Sequence, residues 1–202
     1  QGKGLAGALL TGDAGIGKTA LVRAFVEQVR RLPDFRSPIL WARARRFRSR
    51  PFAVITDLIT NHIEAEPASR DTPLQEALAR MPGVSPAQAI DFFRFLAEPG
   101  AYPGDNARAF PLLASILQAF TRQARDSVWS GIIFVDNSHL ADQQSLDFLS
   151  WFIRNTQPQP FLLMAEREGR RELSETFPEL DTLEVEALNA EDSRTLLRSL
   201  LP

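Results

Sequence analysis

Residues 12 to 19, Gly-Asp-Ala-Gly-Ile-Gly-Lys-Thr, constrain this chain more than any other stretch. They satisfy G-x-x-x-x-G-K-[ST] at every defined position. They lie between a short apolar run, "GLAGALLT" (4 to 11), and a helical apolar pattern through Leu21, Val22, Phe25, Val26 and Val29 that Pro33 ends. Glycines let successive N–H groups turn inward around a phosphate, the helix beginning near Lys18 adds its positive end, and the ammonium reaches the outer phosphates. A plain glycine turn before a helix is the alternative. Against it, only Lys3 and Lys18 among the 23 basic residues are lysines, so chance usage does not favour lysine here. The expected nucleotide-binding set is therefore Gly12, Asp13, Ala14, Gly15, Ile16, Gly17, Lys18, Thr19 and Ala20, with the Thr19 hydroxyl directed to Mg²⁺.

The order of elements along the chain agrees with such a loop. "SPILWARA" (37 to 44), "GIIFVD" (131 to 136), "PFLLMAER" (160 to 167) and the weaker "DTLEVEAL" (181 to 188) read as further strands. Residues 51 to 126 are mostly helical, with Ser85 as an N-cap ahead of Pro86, and Pro111 is expected to kink its helix or mark its start. A helix follows Asp142, a plausible cap. Alternating strands and helices predict an α/β, three-layer fold of the P-loop NTPase kind, with a mostly parallel five-stranded sheet and a helical insertion over about 51–126. Residues 1–188 form the expected domain, and 189–202 the start of a truncated helical lid or following domain.

Nucleotide cleavage also needs a group to hold the metal and one to orient the attacking water. Asp136 ends the clearest strand, and the carboxyl end of a parallel strand faces the ligand crevice, so it joins Thr19 as the expected metal pair. The alternative is an aspartate capping the next turn. Asn137 follows it. An amide orients water but cannot take its proton, so turnover is expected to be slow or absent unless Glu166 or an acid from another chain serves. His139 is near enough to face a nucleotide, though an ordinary hydrogen-bonding turn residue is the simpler reading. Five arginines between Arg43 and Arg50 form either a partner or nucleic-acid patch or, more simply, the solvated exit of a strand.

A net charge of -2 gives no global reason to expect nucleic acid or membrane as the main partner. DNA is expected only through an appended domain. With no cysteine and only His62 and His139, disulfides, thiolate metal sites and a zinc cluster are excluded. No apolar run approaches the roughly 18 residues that cross a bilayer, and "QGKGLAGALL" lacks the layout of a signal peptide, so the expected location is cytoplasmic. A chain that enters its first strand at once and stops inside "RTLLRSLLP" reads as an excerpt of a longer protein.

In order, "GDAGIGKTALV", "VDNSHLADQQSLDFLSWFIRN", "FLLMAERE" and "LEVEALNAEDSRTLLRSLL" resemble the AAA-like ATPase module of the STAND class, the signal-transducing NTPases of large LuxR-type regulators and cyclase- or kinase-linked proteins. The resemblance implies ATP or ADP and Mg²⁺ binding in a switch that packs against other domains of the same polypeptide and against identical subunits. It also implies that Arg167 senses the terminal phosphate, the alternative being a solvated strand-end arginine, and that Lys18, Asn137 and Arg167 carry whatever hydrolysis occurs. Asn137 departs from the acidic pair usual in that class. The expected function is a Mg-ATP-binding, ATP-hydrolysing switch module of a signal-transduction or transcription regulator. The alternatives are a nucleotide-binding scaffold without turnover and a small-molecule P-loop kinase. No N-K-x-D segment is present to read guanine.

Overall fold

The computed structural model describes residues 7–33, 35, 37–45, 50–69, 72–97, 106–121, 131–156, 160–166, 172–187 and 192. Five strands form one sheet: β1 (Gly7–Thr11), β2 (Ile39–Arg43), β3 (Ile132–Asp136), β4 (Phe161–Ala165) and β5 (Asp181–Glu184). Their order is β2-β3-β4-β1-β5 and every pairing is parallel, so the sheet is wholly rather than mostly parallel. β4 lies between β1 and β3. The loop strand is thereby one strand removed from the aspartate strand, while Leu10 and Asp136 both pair with Ala165.

Because side chains alternate across a strand, β1 to β4 each feed two cores. Ala8, Leu10, Ile132, Phe134, Phe161 and Leu163 face α1 (Lys18–Arg30), which covers them with Val22, Val26 and Val29. Leu9, Leu40, Ile133, Val135, Leu162 and Met164 face the larger core. That side is built from α2 (Ala53–Ala65), α3 (Leu74–Arg80), α4 (Pro86–Ala97), α5 (Asn106–Thr121), α6 (Gln143–Asn155) and α7 (Glu172–Thr176). Its densest part is aromatic: Phe52 meets Phe95 and Phe110 edge-on, and Phe148 packs on Phe110 and Phe152. His62 stands 4.5 Å from the Phe120 ring, and burial lowers its pKa against the opposing charge of Glu66, a structural histidine.

Local chemistry explains the helix ends. Ser85 and Gln88 form a reciprocal capping pair at α4, Gln88 N donating to Ser85 Oγ at 3.2 Å and Ser85 N to Gln88 Oε1 at 2.7 Å. α5 begins at Asn106 and runs through Pro111, so the proline does not mark the start of that helix.

Asp142 does more than cap its own helix. Its Oδ1 accepts from Ser145 N at 2.9 Å and also from Phe52 N at 2.8 Å, while Oδ2 accepts from Ser145 Oγ at 2.7 Å. One carboxylate thus starts α6 and holds the entry to α2, where Phe52 is buried at φ 57. Asp142→Ala is expected to lower stability by about 2–4 kcal/mol, the sum of a lost cap and an unsatisfied buried N–H. Urea unfolding followed by circular dichroism checks this; a change under about 0.5 kcal/mol, as at an ordinary surface site, would contradict it.

Candidate nucleotide site

The loop between β1 and α1 is shaped by its glycines. At Gly12 (φ 140) a Cβ would stand 2.6 Å from the backbone oxygen of Val185, just past β5. Gly15 (φ 83) and Gly17 (φ 106) take left-handed conformations that a side chain disfavours, and Gly17 leads directly into α1. Leu21 N already donates to Gly17 O, while the N–H groups of the first helical turn have no intrahelical acceptor and point out of the helix end. That end carries no acidic residue, which suits an anion.

Lys18 curls back over its own loop. Its ammonium donates to Gly12 O and Asp13 O, 2.7 Å each, which places the charge at the mouth of the loop. One turn of chemistry further on, Thr19 Oγ1 donates to Asp136 Oδ1 at 3.2 Å, joining the start of α1 to the end of β3. Asp136 is 3% exposed. Asn137 N also donates to its Oδ1, at 3.0 Å, while Oδ2 accepts no aligned hydrogen bond and lies 3.1 Å from Arg43 Nε.

These groups line one cavity of about 830 Å³, together with Asn137, His139, Leu140 and Glu166. Of the loop set, Ala14, Gly15, Gly17, Lys18, Thr19 and Ala20 face it, while Gly12, Asp13 and Ile16 form the loop without lining the cavity. Asn137 sits at φ 55, ψ 41, opening the short 3-10 turn Ser138–Leu140. Ser138 Oγ donates to Ala165 O at 3.1 Å, fixing this turn to the end of β4. Glu166 is 2% exposed, and its N–H donates to Leu10 O at 2.9 Å, so it is seated between the loop strand and the aspartate strand. Arg167 lies outside the described residues.

The arginine stretch divides. Arg43 lines the cavity and pairs with Asp136, and it also borders a second depression in which Arg45 stands with Asp57, Asn61 and Glu64; Arg46 and Arg48 lie outside the described residues. Sequence reading treated these arginines as one run. The only signal separating Arg43 was its place as the last residue of a strand, and its partner became visible with the β2–β3 register, Arg43 opposite Asp136. Arg23 and Glu27, one and two turns along α1, also line the cavity and were not anticipated.

Residues 1–164 match a family model described as the AAA ATPase domain. The chain belongs to that family. The AAA ATPase domain is a nucleotide-binding module. Among solved structures, the chain is similar to the Orc1 protein of Aeropyrum pernix in complex with DNA, with a TM-score of 0.54 and 17% identity. The match covers 96% of this chain and 42% of that one, and it shows a shared AAA-type P-loop fold. No curated protein matches the sequence. Among the described residues, no helix is long and apolar enough to cross a membrane.

Proposed function

We propose that this AAA ATPase domain is a Mg-ATP-binding and ATP-hydrolysing switch module of a larger signal-transduction or transcription regulator. The observation that carries the reading is the Thr19–Asp136 contact of 3.2 Å beside the Lys18 ammonium. It brings a hydroxyl and a buried carboxylate together at the phosphate end of the cavity. Mg²⁺ is usually held by one or two carboxylates and by substrate phosphates, keeping several waters. The donor set fits that habit, because among the described residues no group of three or more His, Asp or Glu is placed to hold a metal without the nucleotide.

In this reading the N–H groups of Gly15, Gly17, Lys18, Thr19 and Ala20 and the Lys18 ammonium bind the phosphates, and Thr19 and Asp136 would hold Mg²⁺. Bound with the nucleotide, the metal supplies charge neutralisation at the terminal phosphates. Asn137 orients the attacking water through its amide, Lys18 stabilises charge on the transferring group, and Arg167 extends that role. Residues 1–188 act as the nucleotide domain and 189–202 begin a lid or following domain, with neighbouring domains and identical subunits as partners in the cytoplasm. Any contact with DNA is made through an appended domain only; the Orc1 structure was solved with DNA, whereas this chain has a net charge of -2.

A second reading, a scaffold that holds nucleotide without turnover, is favoured by Asn137 itself, an amide where a base is needed. Single-turnover incubation of excess protein with γ-labelled ATP and Mg²⁺ separates the readings. Free labelled phosphate is expected. Intact ATP retained on the protein supports the scaffold, and label on a small acceptor supports a kinase.

A further inference from the structure

We infer that Arg43 is a phosphate-sensing residue supplied in cis, which distinguishes ATP from ADP by reaching the terminal phosphate from the end of β2. The inference rests on the Mg-ATP reading above and names the residue through which the site registers the γ-phosphate.

Three observations carry it. Arg43 lines the same cavity as Lys18 and Thr19, on the side of Asp136 away from the loop strand. Its Nε lies 3.1 Å from Asp136 Oδ2 in an ion pair that is not aligned as a hydrogen bond, so the guanidinium is near the metal-site carboxylate without being spent on it. Its side chain is 57% exposed, has no other hydrogen bond or ion pair among the described residues, and borders both this cavity and the neighbouring depression lined by Arg45, Asp57 and Glu64. Arg23, the other described arginine on this cavity besides Arg43, is instead engaged over the Trp41 ring at 5.7 Å.

The physical consequence follows from the geometry of guanidinium. Five donors in a planar fork bind a carboxylate and a phosphate oxygen at once, and charge-assisted bonds of this kind are the strong ones. With ATP bound, Arg43 bridges Asp136 and the terminal phosphate. With ADP, only the Asp136 contact remains, and the end of β2, which leads through residues 44 to 52 into α2, loses its tie to the nucleotide. Arg43, at the end of β2, thereby has a function at the site.

Affinities for ATP and ADP, measured by displacement of a fluorescent ADP analogue with Mg²⁺ and with EDTA, test this in wild type, Arg43→Ala and Arg43→Lys. Arg43→Ala is expected to weaken ATP about ten- to a hundredfold and ADP less than twofold, in EDTA as well as with Mg²⁺, with the thermal midpoint unchanged. Arg43→Lys, which keeps the charge and loses the fork, should fall between. Equal loss of ATP and ADP, no loss at all, or a loss confined to Mg²⁺ overturns the inference, the last because Arg43 would then act only through Asp136. A wild-type protein that binds neither nucleotide overturns the Mg-ATP reading as well, whereas nucleotide binding indifferent to Arg43 removes this inference alone.

Discussion

Lys18→Ala is expected to abolish nucleotide capture and phosphate release while leaving the fold intact. In the structure the ammonium sits on Gly12 O and Asp13 O at 2.7 Å each, poised at the loop mouth and bonded to nothing in either core. Alanine is a good helix former, so the first turn of α1 keeps its geometry. The two carbonyls lose one donor each at a partly solvated surface, where water replaces it, and stability should change by less than about 1 kcal/mol. The anion site loses its full charge and retains only the partial positive end of α1, worth about 0.3–1 kcal/mol. A charge-assisted group at a transferring phosphoryl typically carries about 10²–10³ in rate. Equilibrium dialysis with labelled ATP, single-turnover phosphate release and a thermal melt check the three parts. Release at the wild-type rate would place the phosphate somewhere other than this loop.

What could be read from the residues depended on how local the cause was. The loop was legible because its chemistry is contiguous: glycines, lysine and threonine act through the backbone they occupy. β3 was legible because four apolar residues end on an aspartate, and all five positions of the strand are buried. β5 gave a weak pattern for a physical reason, since it is an edge strand with every residue exposed. What connects distant segments was not legible. Asp142 reads as the cap of α6, yet its contact with Phe52 N spans 90 positions, and no periodicity announces such a bond. Arg43 and Asp136 meet because one crossover brings β2 and β3 side by side in one register, a fact of topology that composition cannot carry. The helical region between β2 and β3 was recognised as helical, but the division of its described residues into α2, α3, α4 and α5 comes with packing against one aromatic core.

Asn137→Asp is expected to raise single-turnover phosphate release by about 10²-fold, the low end of what a positioned general base contributes. The backbone permits the exchange. Asn137 occupies φ 55, ψ 41, the left-handed region in which asparagine and aspartate are the non-glycine residues best tolerated, so the substitution should fold without added strain. The side chains are also of nearly equal volume, and Asn137 already lines the cavity beside Asp136 and Arg43. What changes is the chemistry: a carboxylate takes the proton of the attacking water as its oxygen bonds to the γ-phosphorus, whereas the amide only orients it. The cost is a new negative charge near the phosphates, at about 1–4 kcal/mol for an unscreened pair around 4 Å apart, so ATP affinity should fall by about fivefold to nearly a thousandfold while the rate rises. The direction of both effects is measured in one quench-flow series at varied ATP. A slow wild-type rate lifted by the substitution means that the asparagine restrains turnover, and a switch held long in its ATP state is the natural use of that restraint. An unchanged rate would take Asn137 out of the chemistry altogether, leaving the left-handed turn after β3 as the reason an asparagine stands there, and would direct the search for the base to Glu166, the other carboxylate seated between the two phosphate-handling strands.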